Sequence, residues 1–188
     1  MKVSVFKRTT GKKGEINRIR REGNVPAVLY ANKVAPETVY VNGDEIRTIL
    51  RNMKQGQLST TVFELHQDKK TLKAIVKDIQ YHVATYDVEH IDFLLLSDNV
   101  PVTVNVPITV TGAGDCAGIK LGGFLRQAVR TLKVSCLPKH IPHEFVVDVR
   151  EMNVADSKRL SEIPLPETVK PLGRMTEVAI VIAKKAGT

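Results

Sequence analysis

Hydrophobic residues in this chain alternate with polar ones far more often than they recur at helical spacing. Val3 and Val5 alternate with polar neighbours and predict a first strand through about Phe6. Val25–Tyr30 is a nearly continuous apolar run and predicts a buried strand, and Glu37–Val41 predicts another. Ser59–Leu65 and Thr71–Ile79 each alternate with period two, so the polar run 66–70 between them reads as a hairpin turn. Val88–Leu96 is a further strand.

Two stretches of this half carry the helical period. In Glu15–Glu22, Ile16 and Ile19 share a face, with Arg18 and Arg21 roughly opposite and Arg20 on the flank. Gly23 stands where a helix C-terminus favours glycine. Asp44–Met53 places Ile46, Ile49, Leu50 and Met53 on one side. Asp44 serves there as N-cap or first-turn acid, after a turn at Asn42-Gly43. The first ~95 residues therefore read as a sheet-dominated α+β domain.

The pattern changes after Ser97-Asp98-Asn99. Pro101–Val110 is almost unbroken β pattern, Gly112–Gly118 reads as a loop, and Lys120–Cys136 reads as strands bent or bulged at Gly122-Gly123. The spacing of Phe124, Leu125, Ala128, Val129 and Leu132 also suits a helix, so that stretch stays open. Phe145–Val149 and Val178–Ala183 are strands, and Met152–Pro166 reads as an irregular connection with room for one short helix. A basic, frayed tail is expected at the end. Two domains follow, 1–96 and 97–188, the second mainly β and close to balanced in charge. The fold class is mainly β with some α.

Composition changes this picture in one respect. The 188 residues are 43% hydrophobic and 26% charged, as expected of a chain that buries a core, and the formal net charge is +8. Residues 1–33 hold nine Lys/Arg against two acids, so nearly all of that excess lies in one segment. The basic residues lead up to and along the first helix: Lys7, Arg8, Lys12, Lys13, Arg18, Arg20 and Arg21. A charge this localised is an electrostatic footprint for a polyanion. Trp is absent and aromatics make up 5%, which argues against a sheet of base-stacking aromatics. No apolar run is long enough to span a bilayer and no secretory leader is apparent, and two cysteines do not make a disulfide scaffold. The expectation is a cytoplasmic protein.

Candidate chemistry is sparse. In a strand, His90 and Asp92 project from one face while Ile91 and Phe93 point to the core. That pair can accept from base amino groups and donate to or stack on a nucleotide; the plain alternative is a hydrogen-bonded surface pair. Cys136, His140 and His143 have suggestive spacing, but Pro138 and Pro142 interrupt them and no fourth ligand lies nearby, against the tetrahedral rule for structural zinc. Gly112–Gly118 lacks the Lys-Ser/Thr of a phosphate loop. No nucleophile elbow, metal set or cofactor fingerprint appears, so no enzyme activity is expected.

Three ordered stretches carry a resemblance: Arg18–Tyr30 (RIRREGNVPAVLY), Lys73–Gln80 (KAIVKDIQ) and Val88–Phe93 (VEHIDF). Together they resemble the bacterial family of large-subunit ribosomal protein twenty-five, which binds 5S rRNA. Val106–Ile108, Leu121–Gly123, Val134–Pro138, Ile141-Pro142 and Val147–Val149 resemble the extra domain of its long form, the CTC or general-stress type. The resemblance implies an N-terminal closed β-barrel with helices, docked on loop E of 5S rRNA, and a C-terminal β domain. It implies RNA contacts at Arg8, Lys12, Lys13, Arg18, Arg20, Tyr30, Lys77, Gln80, His90 and Asp92.

Within that set, Tyr30 packs against RNA or is a core tyrosine. Lys77 and Gln80 point to opposite faces of a regular strand, so both serve only if a bend or bulge intervenes. Two departures from the family pattern touch local geometry. Ala31 stands where glycine follows the tyrosine, and Asn17 where a basic residue is frequent. The implied partners are 5S rRNA, the large subunit and neighbouring ribosomal proteins, with a monomer when free and no cofactor. An RNA-binding barrel acting away from the ribosome and a stress-related protein-interaction module are the competing readings.

Overall fold

The structure, a computed structural model, describes residues 1–8, 13–31, 34–54, 56–67 and 70–184, with the side chains of Lys13 and Val34 outside that description. The chain forms two compact units, Met1–Val100 and Pro101–Thr188.

The first unit contains β1 (Lys2–Lys7), α1 (Lys13–Arg21), β2 (Val25–Ala31), β3 (Val34–Val41), α2 (Gly43–Asn52), β4 (Val62–Gln67), β5 (Lys70–Tyr81) and β6 (Val88–Leu95). Its strands close into a barrel in the order β1-β3-β2-β6-β5-β4, sealed by a parallel β4–β1 pairing. The terminal ammonium of Met1 donates to the Val62 carbonyl at that seam. Alternation now has a physical meaning: one residue in two points inward. Val3, Val5, Ala27, Leu29, Val39, Val41, Phe63, Leu65, Ala74, Val76, Ile91 and Phe93 fill the interior. Phe63 and Phe93 meet edge-on there, centroids 6.1 Å apart. Helix α2 packs Ile46, Ile49, Leu50 and Met53 against the same core.

Several expectations are refined. Asn42-Gly43 is a helix start: the Asn42 side chain accepts from the Asp44 and Glu45 N–H groups, so Asn42 is the N-cap and Asp44 a first-turn acid. Glu45 then accepts from the Ser4 amide and hydroxyl, tying α2 to β1. Strand β4 starts only at Val62, because 57–60 form a 3-10 turn.

The second unit contains β7 (Val102–Thr111), α3 (Ala117–Lys120), β8 (Gly123–Gln127), β9 (Thr131–Cys136), β10 (Phe145–Asp148), β11 (Ser157–Arg159), β12 (Lys170–Pro171) and β13 (Val178–Lys184). These make an open sheet β10-β7-β9-β12 and a second, β11-β13-β8. The Gln127 amide donates to the Ile108 carbonyl of β7 and so bridges the two. Gly122, at φ 89°, turns the chain into β8, and Phe124–Gln127 is strand where helical spacing was also open. The stretch read as a loop at 112–118 contains a 3-10 turn and the start of α3. The connection read as irregular holds β11 and a further 3-10 turn. The expected tail at 185–188 lies outside the described residues.

Candidate nucleic-acid interface

The basic segment folds as a helix held by a single apolar stripe. In α1, Ile19 is buried and Ile16 half-buried, while Arg18, Arg20 and Arg21 are exposed. Glu15 in the first turn and the three arginines in the last complement the helix dipole. Arg18 meets Glu22 at 3.5 Å. Gly23, at φ 80°, ends the helix: its N–H donates to the Arg20 carbonyl, and the Asn24 N–H to that of Ile19. Those two bonds satisfy carbonyls that would otherwise be orphaned. The turn is also packed close to α2, since a Cβ on Gly43 would collide with the Gly23 carbonyl oxygen.

Arg20 joins this helix to the barrel by donating from Nη2 to the Glu89 carbonyl at 3.1 Å. A cleft of about 270 Å³ opens beside it, lined among others by Arg20, Asn24, Arg47, His82, Thr85 and Asp87.

Glu89 immediately precedes the residues that carry base-edge chemistry. On β6, Ile91 and Phe93 are buried in the barrel, so His90 and Asp92 stand on the outer wall, Nδ1 to Oδ1 at 2.9 Å. The neighbouring strands complete that wall. Val28 lies opposite Asp92 and Tyr30 opposite Leu94 on the β2 side. On the β5 side the ladder slips: Val76 faces Phe93, but Asp78 faces Asp92, so Lys77 is the extra residue of a β-bulge. The bulge changes which residues point inward. Ala74 and Val76 pack on the core before it, Ile79 after it. Asp78 and Gln80 are therefore outside, with Gln80 opposite His90, and Lys77 is exposed at the bulge itself. A regular strand would have split Lys77 from Gln80; the bulge removes that conflict.

The centre of this wall is acidic. Asp78 and Asp92 are directly opposed across β5 and β6, an unfavourable pairing unless a donor lies between. His90 supplies one. Leu29 packs in the barrel core, so the half-buried Tyr30 next to it stands on the outer wall, where burial, then Asp92 and Asp78, push its hydroxyl above its usual pKa. Such a surface repels phosphate and accepts from amino groups on base edges. The cations lie beside that centre, on α1 and at Lys77 in the bulge.

The remaining candidates are scattered. Arg8 follows β1, three strands from β6 either way round the six-stranded barrel, and pairs through its backbone with Thr38. Its Nε is buried without a hydrogen-bond partner among the described residues. Lys12 lies outside the described residues, and Lys13 opens α1. Ala31 ends β2 without a positive φ, so nothing there requires glycine. Asn17 is exposed on α1. Sequence reasoning missed Asp78, whose side depends on the bulge, and Arg47, which reaches the cleft only through the packing of α2 on the α1–β2 turn. Among the described residues, no group of three or more His, Cys, Asp or Glu is placed to hold a metal. Cys136 is buried and its thiol pushed up by that burial.

Comparison with known proteins covers both units. Residues 3–93 match the model of the ribosomal L25p family, and residues 101–186 match that of the ribosomal protein TL5 C-terminal domain. The large ribosomal subunit protein bL25 of Chlamydia trachomatis serovar L2 is 40% identical over 185 residues, covering 98% of this chain and 100% of the relative. The proteins of the same name from Chlamydia pneumoniae and Chlamydia caviae are 40% and 36% identical over the same spans.

Proposed function

This chain belongs to the ribosomal L25p family in its two-domain form, a structural protein of the large ribosomal subunit and not an enzyme; from that premise we propose that it binds 5S rRNA at loop E through its barrel unit. The observation that carries the proposal is the outer wall of β2, β6 and β5. There the bulge at Lys77 sets Gln80 opposite His90 and Asp78 opposite Asp92, with Arg20 fixing the basic helix to the same edge through the Glu89 carbonyl.

The two parts divide the work. Arg18 and Arg20, with Lys12, Lys13 and Arg8, neutralise phosphates and set register, a contribution that falls with salt. His90, Asp92 and Gln80 offer donors and acceptors to base edges, and Tyr30 offers a hydroxyl at the margin of the same wall. Beyond the His90 contact, the opposed carboxylates of Asp78 and Asp92 leave acceptor oxygens that call for base N–H donors in front of them. An irregular, widened groove that exposes base edges meets that requirement better than a regular duplex, whose deep groove keeps side chains out. The protein works on the ribosome, in the cytoplasm.

Gel-shift titration of the full chain against 5S rRNA and a generic RNA duplex tests this. His90→Ala or Asp92→Asn should lower affinity for 5S rRNA roughly tenfold, in the range of one base contact, and leave the duplex affinity nearly unchanged. An equal loss on both RNAs would remove the base-reading role.

A further inference from the structure

The turn between β5 and β6 is tied together by its own hydrogen bonds and flanks the cleft beside Arg20. Residues 82–87 are held by an internal network centred on His82. Its Nδ1 lies 3.4 Å from the Ala84 amide, 3.2 Å from the Thr85 amide and 3.2 Å from the Thr85 hydroxyl. The His82 N–H donates to the Asp87 carbonyl and the Tyr86 N–H to that of His82. Asp87 in turn donates its N–H to the Thr85 hydroxyl.

This ordered turn presents apolar groups to solvent. Val83 is 91% exposed and Tyr86 79%, with Tyr81 at the base half-exposed. Tyr86 also takes φ 59°, a backbone conformation that non-glycine residues rarely adopt. An ordered turn that holds two large apolar side chains in water, one of them at a positive φ, is a candidate contact. Soluble surfaces carry single apolar residues routinely; a fixed cluster at one tip is the informative case.

Its position selects the occupant. Gln80 and His90 stand at the ends of the strands this turn joins, and its His82, Thr85 and Asp87 form one side of the cleft whose other side includes Arg20 and Asn24. At about 3.3 Å per residue the tip lies roughly 10 Å beyond Gln80, within reach of the next few nucleotides of a strand seated on the wall. The segment 81–87 contains no Lys or Arg and so offers phosphate no fixed cation; its rings and methyl groups suit the face of a base.

We infer that Tyr86 is a stacking contact for an unpaired base of the rRNA, adjoining the wall that carries His90 and Asp92. The inference rests on the RNA-binding reading above. Aromatic stacking is sequence-tolerant and uncharged, so it adds affinity without adding to the salt dependence.

The test uses the full chain and a 5S rRNA transcript, with affinity measured at several salt concentrations. Tyr86→Asn and Tyr86→Gly both accept the positive φ, so neither threatens the turn. Each should weaken binding by roughly five- to a hundredfold, the span of base–aromatic stacking, with the slope of affinity against salt unchanged. Tyr86→Phe, which keeps the ring, should bind as the wild type does. Chemical probing should show a base protected by the wild type and by Tyr86→Phe but reactive with the other two. Binding by Tyr86→Asn and Tyr86→Gly within twofold of wild type overturns the inference and leaves the wall intact. Normal 5S rRNA binding with poor incorporation into large subunits overturns it in favour of a protein contact. Failure of the wild type itself to prefer 5S rRNA over a generic duplex sinks the underlying reading as well.

Discussion

Counted by structural unit, the two halves of this protein carry the same net charge, and they arrange it differently. Met1–Val100 holds 16 Lys/Arg against 12 Asp/Glu, and 101–188 holds 12 against 8, so each is +4 and the second half is less balanced than its sequence pattern suggested. The first unit puts nine of its cations in the first 33 residues and leaves seven against ten acids in the rest. The helix α1 is cationic; the barrel wall beside it is anionic at its centre. In the second unit the charges pair locally, as Arg150 does with Asp148 and Lys120 with Asp115. Net charge therefore does not distinguish the two units; segregation of the charge does. The architectures differ in the same sense. A closed barrel has no free strand edge, so it meets partners through side chains on its wall, whereas the open sheets of the second unit keep edges at β8, β10, β11 and β12.

The largest expected effect breaks the scaffold beneath the wall. Phe93→Ala empties the barrel centre where Phe93 meets Phe63, at a cost of about 3–5 kcal/mol, and should abolish 5S rRNA binding together with the barrel's thermal transition. Val134→Ala, in the core of the second unit, should lower stability and leave RNA affinity intact. Loss of RNA binding in Val134→Ala would contradict the division of labour.

Next comes arrangement against amount of charge. Arg18→Ala with Arg20→Ala should reduce the slope of log affinity against log salt by about two and cost roughly a hundredfold in affinity at low salt. Lys133→Ala with Lys170→Ala removes the same charge from β9 and β12 of the second unit and should change neither quantity. Equal losses in the two double variants would mean that net charge alone drives binding.

These contrasts were only partly legible in the sequence. Strands were legible wherever one face is buried, because alternation records burial, and the shared face of His90 and Asp92 follows from the same parity. Parity fails at the Lys77 bulge, where one inserted residue turns Asp78 and Gln80 outward; nothing local in Lys-Asp-Ile marks that slip. Short edge elements were invisible for a different reason. Strand β11 is Ser-Lys-Arg and β12 is Lys-Pro, pieces without an apolar alternation that are strands only because β13 and β9 lie beside them. Barrel closure is a long-range fact, since β1 and β4 pair residues 62 apart in the chain, as Lys2 with Glu64; the family resemblance carried it and the periodicity did not. The Asn42 cap was misread because Asn-Gly suits a tight turn as well as a helix start.

The smallest effect concerns how each unit holds one depressed carboxyl. Glu37 on β3 is lowered first by the Lys7 ammonium at 3.0 Å and then by Gln67, so it depends on the barrel bringing β1, β3 and β4 together. Asp148 is held at about 2 by Arg150 two residues on, a contact local in sequence. Both folded values lie below the unfolded ones. Their contribution is therefore complete above the ordinary carboxylate range and lost as pH falls through the folded value, for Asp148 between 3.8 and about 2. Because the Asp148 pair is solvent-exposed, its effect on stability is small. Carboxyl titration by NMR should show Asp148 rising toward 3.8 in Arg150→Ala with RNA affinity unchanged, and Glu37 rising in Lys7→Ala. Glu37 should also rise when Phe93→Ala opens the barrel, and Asp148 should not, which separates a charge held by the fold from one held by its neighbour in the chain.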